Sequence, residues 1–280
     1  MEILNGKKIA DEILDDLQDK IKQEDLHPGL GVVLVGSDEA SQIYFNLKGK
    51  AAEKAGIVFR KIGMDEKASE SEVLAAISRL NADPGINGII VQLPLPGHLD
   101  KIKIIQAIDP EKDVDGFHEE NIDLFFAGRE RFFPVFPGAI LELLKSAGEK
   151  LENKEAAIIC NSQEFGKAMR LALGREVVAA RYFFRDDIQD NSVDLKDFDI
   201  VITACGAPGL VRGEMLRGGA IVIDGGITKL ENKVLGDVDF DSVKDLPGYL
   251  SPVPGGVGPV TIACLLRNVY LAARIPNKNK

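Results

Sequence analysis

Apolar runs and amphipathic segments alternate along the first hundred residues. The run at 29–36 carries no polar side chain, which is typical of a strand buried on both faces. Before it, apolar residues recur at helical spacing, namely Ile9, Ile13, Leu14 and Leu17. The other predicted elements of this part are strands at 57–64 and 87–96 and helices at 41–55 and 69–81. This order predicts a parallel α/β sheet with right-handed crossovers.

The second half of the chain repeats this order after a loop-rich stretch at 98–137, which is interpreted as a linker or a site. The elements predicted there are a helix at 139–147, strands at 156–160, 176–184, 199–205 and 220–226, and a helix at 260–273. Residues 276–280 are predicted to fray. The sequence therefore predicts an α/β fold with two α/β lobes and a boundary near residues 120–145.

Composition and charge make some classes of function unexpected for this chain. The 280 residues are 45% apolar and 28% charged, as in ordinary globular proteins. A net charge of −10 repels phosphate backbones, so no nucleic-acid partner is expected. The three widely spaced cysteines predict reduced thiols in a cytoplasmic protein without a metal site. No apolar stretch is long enough to span a bilayer and the N-terminus does not resemble a signal peptide, so no membrane partner is expected.

The first candidate site lies on the predicted helix 41–55, which carries Ser41, Tyr44 and Lys48. Tyr44 and Lys48 are four residues apart and share a face, and such a pair can transfer a proton if burial lowers the lysine pKa. The alternative is a surface lysine beside a tyrosine at the core edge. Tyr-x-x-x-Lys also occurs in short-chain dehydrogenases, but the glycine-rich fingerprint that precedes it there is missing here.

Two further candidates follow the predicted strand at 87–96. Gln92 stands at its carboxyl end, where open α/β sheets bind ligands, and a rigid strand exit is the alternative interpretation. Asp113 and Asp115 flank Val114, so in an extended segment they point to opposite sides. One can face a pocket and accept from neighbouring N–H donors of a heterocycle while the other holds the loop; the alternative is a solvated acidic turn.

The second half contains a strand–polar turn–helix pattern at 161–167 and glycine-rich stretches at 224–227 and 252–259. The turn has the layout of a phosphate-binding site with Ser162 at the helix start. The signal is weak, because Gly166 is the one glycine where a dinucleotide fingerprint has three. Glycines at strand ends let a backbone approach a flat ligand closely.

These motifs, in this order, resemble the bifunctional methylenetetrahydrofolate dehydrogenase/methenyltetrahydrofolate cyclohydrolase family from end to end. The segments that carry the resemblance are ILNGKKIADEI, PGLGVVLVGSDEASQIYFNLKGKAAEKAGI, VQLPLPGH, DPEKDVDGFH, GDVDF and SPVPGGVGPVTIA. The resemblance implies a folate-binding catalytic domain over 1–138, completed by a C-terminal helix at 260–280, and a Rossmann-like NAD(P)-binding domain over 139–259. It also implies a cytoplasmic homodimer in one-carbon metabolism and purine biosynthesis, with NADP or NAD as cofactor and a tetrahydrofolate derivative as substrate.

The resemblance also implies roles for single residues. Lys48 handles protons and helps to activate water, Gln92 hydrogen-bonds Lys48, Tyr44 stacks on the folate ring, and Asp115 binds the pterin N–H edge. The other residues expected to border the folate are Ser41, Gly255, Gly256 and Val257. The residues expected to contact the dinucleotide are Asn161, Ser162, Gln163, Gly166, Arg185, Gly206 and Ile227.

The chain departs from the family pattern mainly in the cofactor lobe. Where the family places an arginine that meets the 2′-phosphate of NADP, this chain has Asn161, and where the family has a His-Ser pair it has Phe183 and Phe184. Arginine pairs a phosphate bidentately and asparagine does not. Arg185 follows directly and can substitute in part, whereas Glu164 adds a negative charge. The preference between NADP and NAD therefore stays open.

Three hypotheses follow. The first is the two-step enzyme, which oxidises 5,10-methylenetetrahydrofolate to the methenyl form with NAD(P)⁺ and hydrolyses that to 10-formyltetrahydrofolate. The second is a cyclohydrolase with weak or lost dehydrogenase activity, because the dinucleotide turn is altered. The third is a non-catalytic folate-binding or assembly protein on the same fold. The presence of Tyr44, Lys48, Gln92 and Asp115 favours the first.

Overall fold

The structure is a computed structural model that describes residues 1–231 and 233–275. The predicted C-terminal segment extends to residue 280, and its last part, 276–280, lies outside the described residues. The chain divides into two compact units. We call Asp11–Val135 together with the chain from Ile262 onward the three-stranded unit, and Met1–Ala10 together with Phe136–Thr261 the six-stranded unit.

The predicted helices and strands occur in the predicted order, with further short elements between them. In chain order they are β1 (Glu2–Ile3), α1 (Gly6–Gln23), β2 (Gly29–Val35), α2 (Glu39–Ala55), β3 (Val58–Met64), α3 (Glu70–Ala82), β4 (Gly88–Val91), α4 (Lys101–Gln106), α5 (Glu119–Phe126), α6 (Val135–Ser146), β5 (Glu155–Cys160), α7 (Gln163–Arg175), β6 (Ala179–Phe184), α8 (Arg185–Gln189), β7 (Ile200–Ala204), β8 (Ile221–Asp224), β9 (Thr228–Leu230), β10 (Lys233–Leu235), α9 (Phe240–Val243), β11 (Tyr249–Leu250) and α10 (Val257–Ala273). No helix among the described residues is long and apolar enough to cross a bilayer.

The three-stranded unit is built on a parallel sheet in the order β3-β2-β4. Every residue of β2 is buried, as the continuous apolar run predicts. Helix α2 begins after Asp38, whose side chain accepts from the Ser41 N–H, and ends at Gly56, which has a left-handed φ of 78°. Helix α3 begins with a capping box between Ser69 and Glu72. These local signals define where both helices begin and where α2, the helix that carries Ser41, Tyr44 and Lys48, ends.

The six-stranded unit has a sheet in the order β1-β11-β8-β7-β5-β6, and all neighbouring strands are parallel. Strand β5 lies between β6 and β7, so the sheet grows in one direction to β6 and then in the other from β7. Such a reversal is a topological switch point, and ligands of open α/β sheets bind beside the carboxyl ends of the strands there. The predicted α/β class with parallel sheets is confirmed.

The structure corrects several element boundaries. The stretch predicted as loop-rich, 98–137, contains helices α4 and α5 and the start of α6. Strand β6 starts at Ala179 instead of residue 176, because Val177 adopts a left-handed φ of 58° after the end of α7. Strands β1, β9, β10 and β11 were not predicted. Each has two or three residues, which is too few to show an alternation of apolar and polar positions.

Candidate functional site

Helix α2 presents a lysine to the end of strand β4. Lys48 Nζ donates a hydrogen bond to Gln92 Oε1 at 2.7 Å. Gln92 directly follows β4, and its Nε2 donates to the Leu93 carbonyl at 2.8 Å; the next peptide bond, Leu93–Pro94, is cis. Because the Gln92 amide N–H is committed to the backbone, its oxygen is the group that faces the lysine. The predicted pair of side chains is therefore in direct contact.

The other predicted residues of α2 lie on the same side of that helix. Tyr44 is one turn before Lys48 and Ser41 is one turn before Tyr44, so the three share a face. Ser41 is buried, and Tyr44 is half-buried. Burial raises the pKa of the Tyr44 hydroxyl, so this group stays protonated at neutral pH. It presents an aromatic ring and a hydroxyl donor.

The loop that carries Asp115 is held against strand β4. Ile89 pairs with Asp113 as an isolated parallel bridge. A Cβ on Gly88 would stand 2.9 Å from the Val114 side chain, so a glycine is needed for the loop to pass this close. From the C-terminal helix, Asn268 Nδ2 donates to the Val114 carbonyl at 2.9 Å. Contacts on both sides of Val114 thus fix the loop. They thereby fix the position of the neighbouring residue, Asp115.

The two aspartates of this loop have different surroundings. Asp113 is buried and accepts from the His118 N–H at 2.8 Å and from Asn121 Nδ2 at 3.0 Å, so it holds the loop. Asp115 is half-buried. His118 caps helix α5, because its ring nitrogen accepts from the Glu120 N–H. The alternation of Asp113 and Asp115 around Val114 therefore separates a structural carboxylate from one that is available to a ligand.

Burial and charge shift the pKa values of Lys48 and Asp115 in opposite directions. Burial lowers the pKa of Lys48, and the nearby Asp115 charge offsets part of that shift. Burial raises the pKa of Asp115 to about 6; Lys48 opposes this shift and Asp113 adds to it. Each shift increases the neutral fraction of its group near neutral pH. Such pairs are typical of sites that move protons.

The raised pKa of Asp115 predicts a pH-dependent effect on stability. Protonated Asp115 favours the folded state, and this contribution is present below about pH 4 and lost as the pH rises through about 6. Replacing Asp115 with Asn removes the charge, so D115N is expected to melt at a higher temperature than the wild type at pH 7.5. The difference should shrink toward pH 4. Thermal melts of both proteins from pH 4 to 8 measure this.

The control for this measurement is Asp123→Asn on the exposed face of α5, which should show no such pH-dependent gain. A D115N protein that is less stable than the wild type at pH 7.5, or equally shifted at all pH values, would contradict the assignment.

The predicted phosphate turn lies at the switch point of the six-stranded sheet. Ser162 caps α7, and its Oγ accepts from the Phe165 N–H at 3.2 Å. Asn161 Nδ2 donates to the Cys205 carbonyl, which joins the ends of β5 and β7. A Cβ on Gly166 would stand 2.7 Å from Tyr182 Cγ. Gly166 thus does what the last glycine of a dinucleotide fingerprint does, since it allows close packing of helix on strand.

Other predicted dinucleotide contacts lie near this turn. Arg185 and Gly206 line one open cavity of about 710 Å³ at the carboxyl edge of the sheet. Gln163 Nε2 donates weakly to the Tyr182 hydroxyl at 3.4 Å. Ile227 follows β8 and is half exposed, which leaves an apolar surface for a planar ring. A switch point, a packed Gly166 and an open cavity together fit a bound dinucleotide.

The glycine-rich segment near the C-terminus also belongs to the six-stranded unit. The Val253–Pro254 peptide is cis and Gly255 has a φ of 104°. Gly256 lies next to Gly6, where an added Cβ would stand 1.8 Å from the Gly256 carbonyl oxygen. Helix α10 begins at Val257, three residues before the predicted start. Because the φ of Gly255 is positive, this position has a backbone conformation that favours glycine.

Two buried carboxylates that the sequence analysis did not single out stabilise the switch point. Asp237 accepts from the Thr203 hydroxyl and from the Cys205 and Ala207 N–H groups, the last two at 2.6 Å. Asp224 accepts from the Gly226, Asp237 and Val238 N–H groups. Burial raises the pKa of Asp224 to about 6, although these hydrogen bonds oppose the shift. Gly236 is needed beside this carboxylate, because a Cβ there would stand 2.0 Å from an Asp224 carboxylate oxygen.

The cysteines and acidic residues form no metal site within the described ranges. Cys160, Cys205 and Cys264 are buried free thiols, and burial raises the pKa of Cys205 to about 12. In residues 1–231 and 233–275 no group of three or more His, Cys, Asp or Glu side chains is arranged to hold a metal ion.

Comparison with known proteins covers nearly the whole chain. The family model described as tetrahydrofolate dehydrogenase/cyclohydrolase, catalytic domain, matches residues 4–115, and the one described as its NAD(P)-binding domain matches 134–277. The bifunctional protein FolD of Staphylococcus aureus is 43% identical over 278 residues, 98% of this chain and 96% of that protein. A crystal structure of the bifunctional FolD enzyme from Campylobacter jejuni has a TM-score of 0.91 at 39% identity, with 98% of each chain covered.

A second solved structure carries a ligand. The Trypanosoma brucei methylenetetrahydrofolate dehydrogenase-cyclohydrolase, complexed with NADP cofactor and inhibitor, has a TM-score of 0.90 at 30% identity, over 97% of this chain and 96% of that chain.

Proposed function

The chain belongs to the tetrahydrofolate dehydrogenase/cyclohydrolase family, and on that premise we propose how its own residues divide the two reactions. The protein oxidises 5,10-methylenetetrahydrofolate with NAD(P)⁺ and hydrolyses the 5,10-methenyl product to 10-formyltetrahydrofolate. None of the similar proteins favours the alternative of a cyclohydrolase with a weak or lost dehydrogenase. The observation that carries the residue assignment is the Lys48–Gln92 hydrogen bond beside Asp115.

Lys48 serves the hydrolytic step. Water adds to the methenyl carbon, and the carbon–oxygen bond forms as the water loses a proton. Lys48 takes this proton when its amine is neutral, which the lowered pKa favours. The bond from that carbon to N5 then breaks as the new hydroxyl loses its proton and becomes the formyl carbonyl; N5 takes up one of the two protons of the water, and the other is released to solvent. Gln92 keeps the amine in place, because its amide oxygen accepts from Nζ.

The neighbouring side chains hold the folate. A carboxylate offers two oxygens to adjacent N–H donors, so Asp115 binds the N–H edge of the pterin. Tyr44 stacks on the ring system. The remaining residues assigned to folate binding are Ser41, Gly255, Gly256 and Val257. Binding of this kind positions the substrate, and positioning alone lowers the barrier of both steps.

The six-stranded unit binds the dinucleotide. When bound, NADP or NAD supplies the acceptor for the hydride that leaves the methylene carbon. Ser162 and Gly166 place the start of α7 beside the phosphates, with Asn161, Gln163 and Gly206 around them. Ile227 offers the apolar contact for the nicotinamide ring. Hydride transfer needs alignment more than acid–base help, so this unit contributes shape and charge.

Several wider assignments are part of the same proposal. The folate-binding catalytic domain covers residues 1–138 and 260–280, and the NAD(P)-binding domain covers 139–259. The contact-based units differ at the start of the chain, where Met1–Ala10 group with the six-stranded unit. The protein works in the cytoplasm as a homodimer, in the one-carbon supply of purine biosynthesis. Light scattering at micromolar concentration tests the dimer; a monomer mass would contradict it.

The hydrolytic half can be tested without any dinucleotide. Purified protein is mixed with methenyltetrahydrofolate, and the loss of the methenyl chromophore is compared with buffer alone. We expect enzyme-dependent hydrolysis whose initial rate is proportional to protein concentration. A rate equal to that of buffer at every pH from 6 to 9 would contradict the assignment of cyclohydrolase chemistry to this chain.

A further inference from the structure

Two phenylalanine rings that have no role in the assignments above meet at the carboxyl edge of the six-stranded sheet. Phe136 lies in the first turn of α6 and Phe165 in the first turn of α7. Their ring centroids are 5.1 Å apart, and the two ring planes are inclined by 44°. Both side chains are half-buried, so each keeps an accessible surface for a further contact. We call these two residues the aromatic pair.

One ring of the aromatic pair lies directly against the end of strand β8. A Cβ added to Gly225, the residue after β8, would stand 2.8 Å from Phe136 Cζ and 3.0 Å from the Thr203 carbonyl oxygen. The Gly225 N–H donates to that same carbonyl at 2.7 Å. A glycine is therefore needed at this position, because the ring and the end of β7 leave no room for a side chain.

The other ring comes from the turn assigned to the dinucleotide phosphates. The Phe165 N–H donates to Ser162 Oγ at 3.2 Å, so the cap that begins α7 also sets the position of Phe165. The contact between the two rings then connects this turn, at the end of β5, with Gly225 at the end of β8. The aromatic pair therefore reaches from the phosphate turn across to the far side of the switch point.

The order of the strands places the aromatic pair beside one half of the dinucleotide. A dinucleotide crosses the switch point, and its adenosine ribose lies at the end of the second strand of the binding unit, which here is β6. The nicotinamide half therefore lies on the other side of β5, toward β7 and β8. Phe136 lies on this side, and the half-exposed Ile227 is two residues beyond Gly225.

We propose that Phe136 and Phe165 form an aromatic surface on which the nicotinamide ring lies, next to the apolar contact of Ile227. The proposal rests on the proposed function, because it requires a dinucleotide at this edge of the sheet. Planar rings pack favourably on aromatic side chains in offset or inclined arrangements. The oxidised nicotinamide ring is a cation, and the face of a phenylalanine ring attracts cations. This surface therefore aligns the hydride acceptor and favours its oxidised form.

The first experiment uses fluorescence, because the chain has no tryptophan and one introduced indole is the sole indole emitter. The variant is Phe165→Trp, which keeps an aromatic ring in the pair. The control is Phe126→Trp in the three-stranded unit, where an exposed phenylalanine also packs edge-on against a second ring. Each protein is titrated with NADP⁺, NAD⁺, 2′,5′-ADP and 5′-AMP, of which the last two lack the nicotinamide.

We expect NADP⁺ or NAD⁺ to quench most of the indole emission of F165W, because the nicotinamide ring contacts the indole. The two fragments without nicotinamide should bind and leave this emission nearly unchanged. The emission of F126W should respond to none of the four compounds.

The second experiment measures binding by calorimetry in Phe136→Leu and Phe165→Leu, with Phe126→Leu as the control. F136L and F165L should each weaken binding of the oxidised dinucleotide by about 2- to 10-fold and leave binding of 2′,5′-ADP and 5′-AMP close to that of the wild type. The loss should be smaller for the reduced dinucleotide, whose ring carries no charge. F126L should bind all these compounds as the wild type does. If F165W fails to fold, the leucine variants decide.

Two results would overturn the aromatic surface alone. One is equal weakening of the whole dinucleotides and of the fragments in F136L and F165L, which would show that the aromatic pair only packs the site. The other is quenching of F165W by the fragments as strong as that by the whole dinucleotides. A wild-type protein that neither binds nor reduces NADP⁺ or NAD⁺ would instead contradict the dehydrogenase assignment, and the aromatic surface with it.

Discussion

Replacing Lys48 with Met is expected to slow methenyltetrahydrofolate hydrolysis by about 10²- to 10⁴-fold, the usual contribution of a general acid–base group. Methionine retains much of the length and apolar body of the lysine but cannot take a proton or donate to Gln92 Oε1. The dehydrogenase rate should fall by a smaller factor, because hydride transfer uses the same bound substrate without that proton transfer. The ratio of the two activities is therefore the informative quantity.

The matched control is Lys50→Met, which removes a lysine from an exposed position on the same helix and should change neither rate by more than about twofold. The pH profile adds a second readout. In the wild type, hydrolysis should rise with pH as the Lys48 amine loses its proton, and K48M should lack this limb. Equal losses of both activities in K48M, with a normal melting temperature, would show that Lys48 acts in binding and not in hydrolysis.

Replacing Asp237 with Ala is expected to destabilise the six-stranded unit by about 3 kcal/mol. The buried carboxylate accepts from one hydroxyl in β7 and from two backbone N–H groups just after that strand. Alanine leaves these donors without an acceptor, and each buried unpaired donor costs about 1–3 kcal/mol. Relief of the repulsion between Asp237 and Asp224 offsets part of this cost. The chain has no tryptophan, so denaturant unfolding is best followed by far-ultraviolet circular dichroism.

The control for D237A is Asp241→Ala on the exposed end of α9. Its partner is Lys244, and both side chains are solvated, so an effect below about 0.5 kcal/mol is expected. Dinucleotide binding should weaken in D237A, because the Cys205–Ala207 backbone that borders the cavity loses its anchor. Full stability of D237A would contradict the interpretation that this carboxylate holds the switch point together.

The elements with a clear pattern of apolar residues were predictable from the sequence. Strand β2 and helices α2 and α3 agree with the pattern to within two residues at each end, because burial on both faces and capping residues leave local signals. The helices α4 and α5 were missed, since they are six and eight residues long and stand among prolines and acidic residues. The predicted first residue of β6 was three residues too early. Val177 and Val178 are apolar residues typical of a strand, but Val177 has a left-handed φ.

The site residues were predictable where the residue types and their spacing along the chain both indicate the same function. Tyr44 and Lys48 share a face by helical spacing alone, and the contact of Lys48 with Gln92 was implied by the family resemblance. The role of Asp237 was not predictable, because its partners at residues 203–207 are about 30 positions away in the chain.

One measurement tests the central claim that a single chain performs both reactions. The wild-type protein is given 5,10-methylenetetrahydrofolate with NADP⁺ or NAD⁺, and reduced dinucleotide and 10-formyltetrahydrofolate are quantified over time. The account predicts that reduced dinucleotide and 10-formyltetrahydrofolate form in equal final amounts with at least one of the two cofactors. Formation of reduced dinucleotide without enzyme-dependent formation of 10-formyltetrahydrofolate, or no reduced dinucleotide with either cofactor, would contradict it.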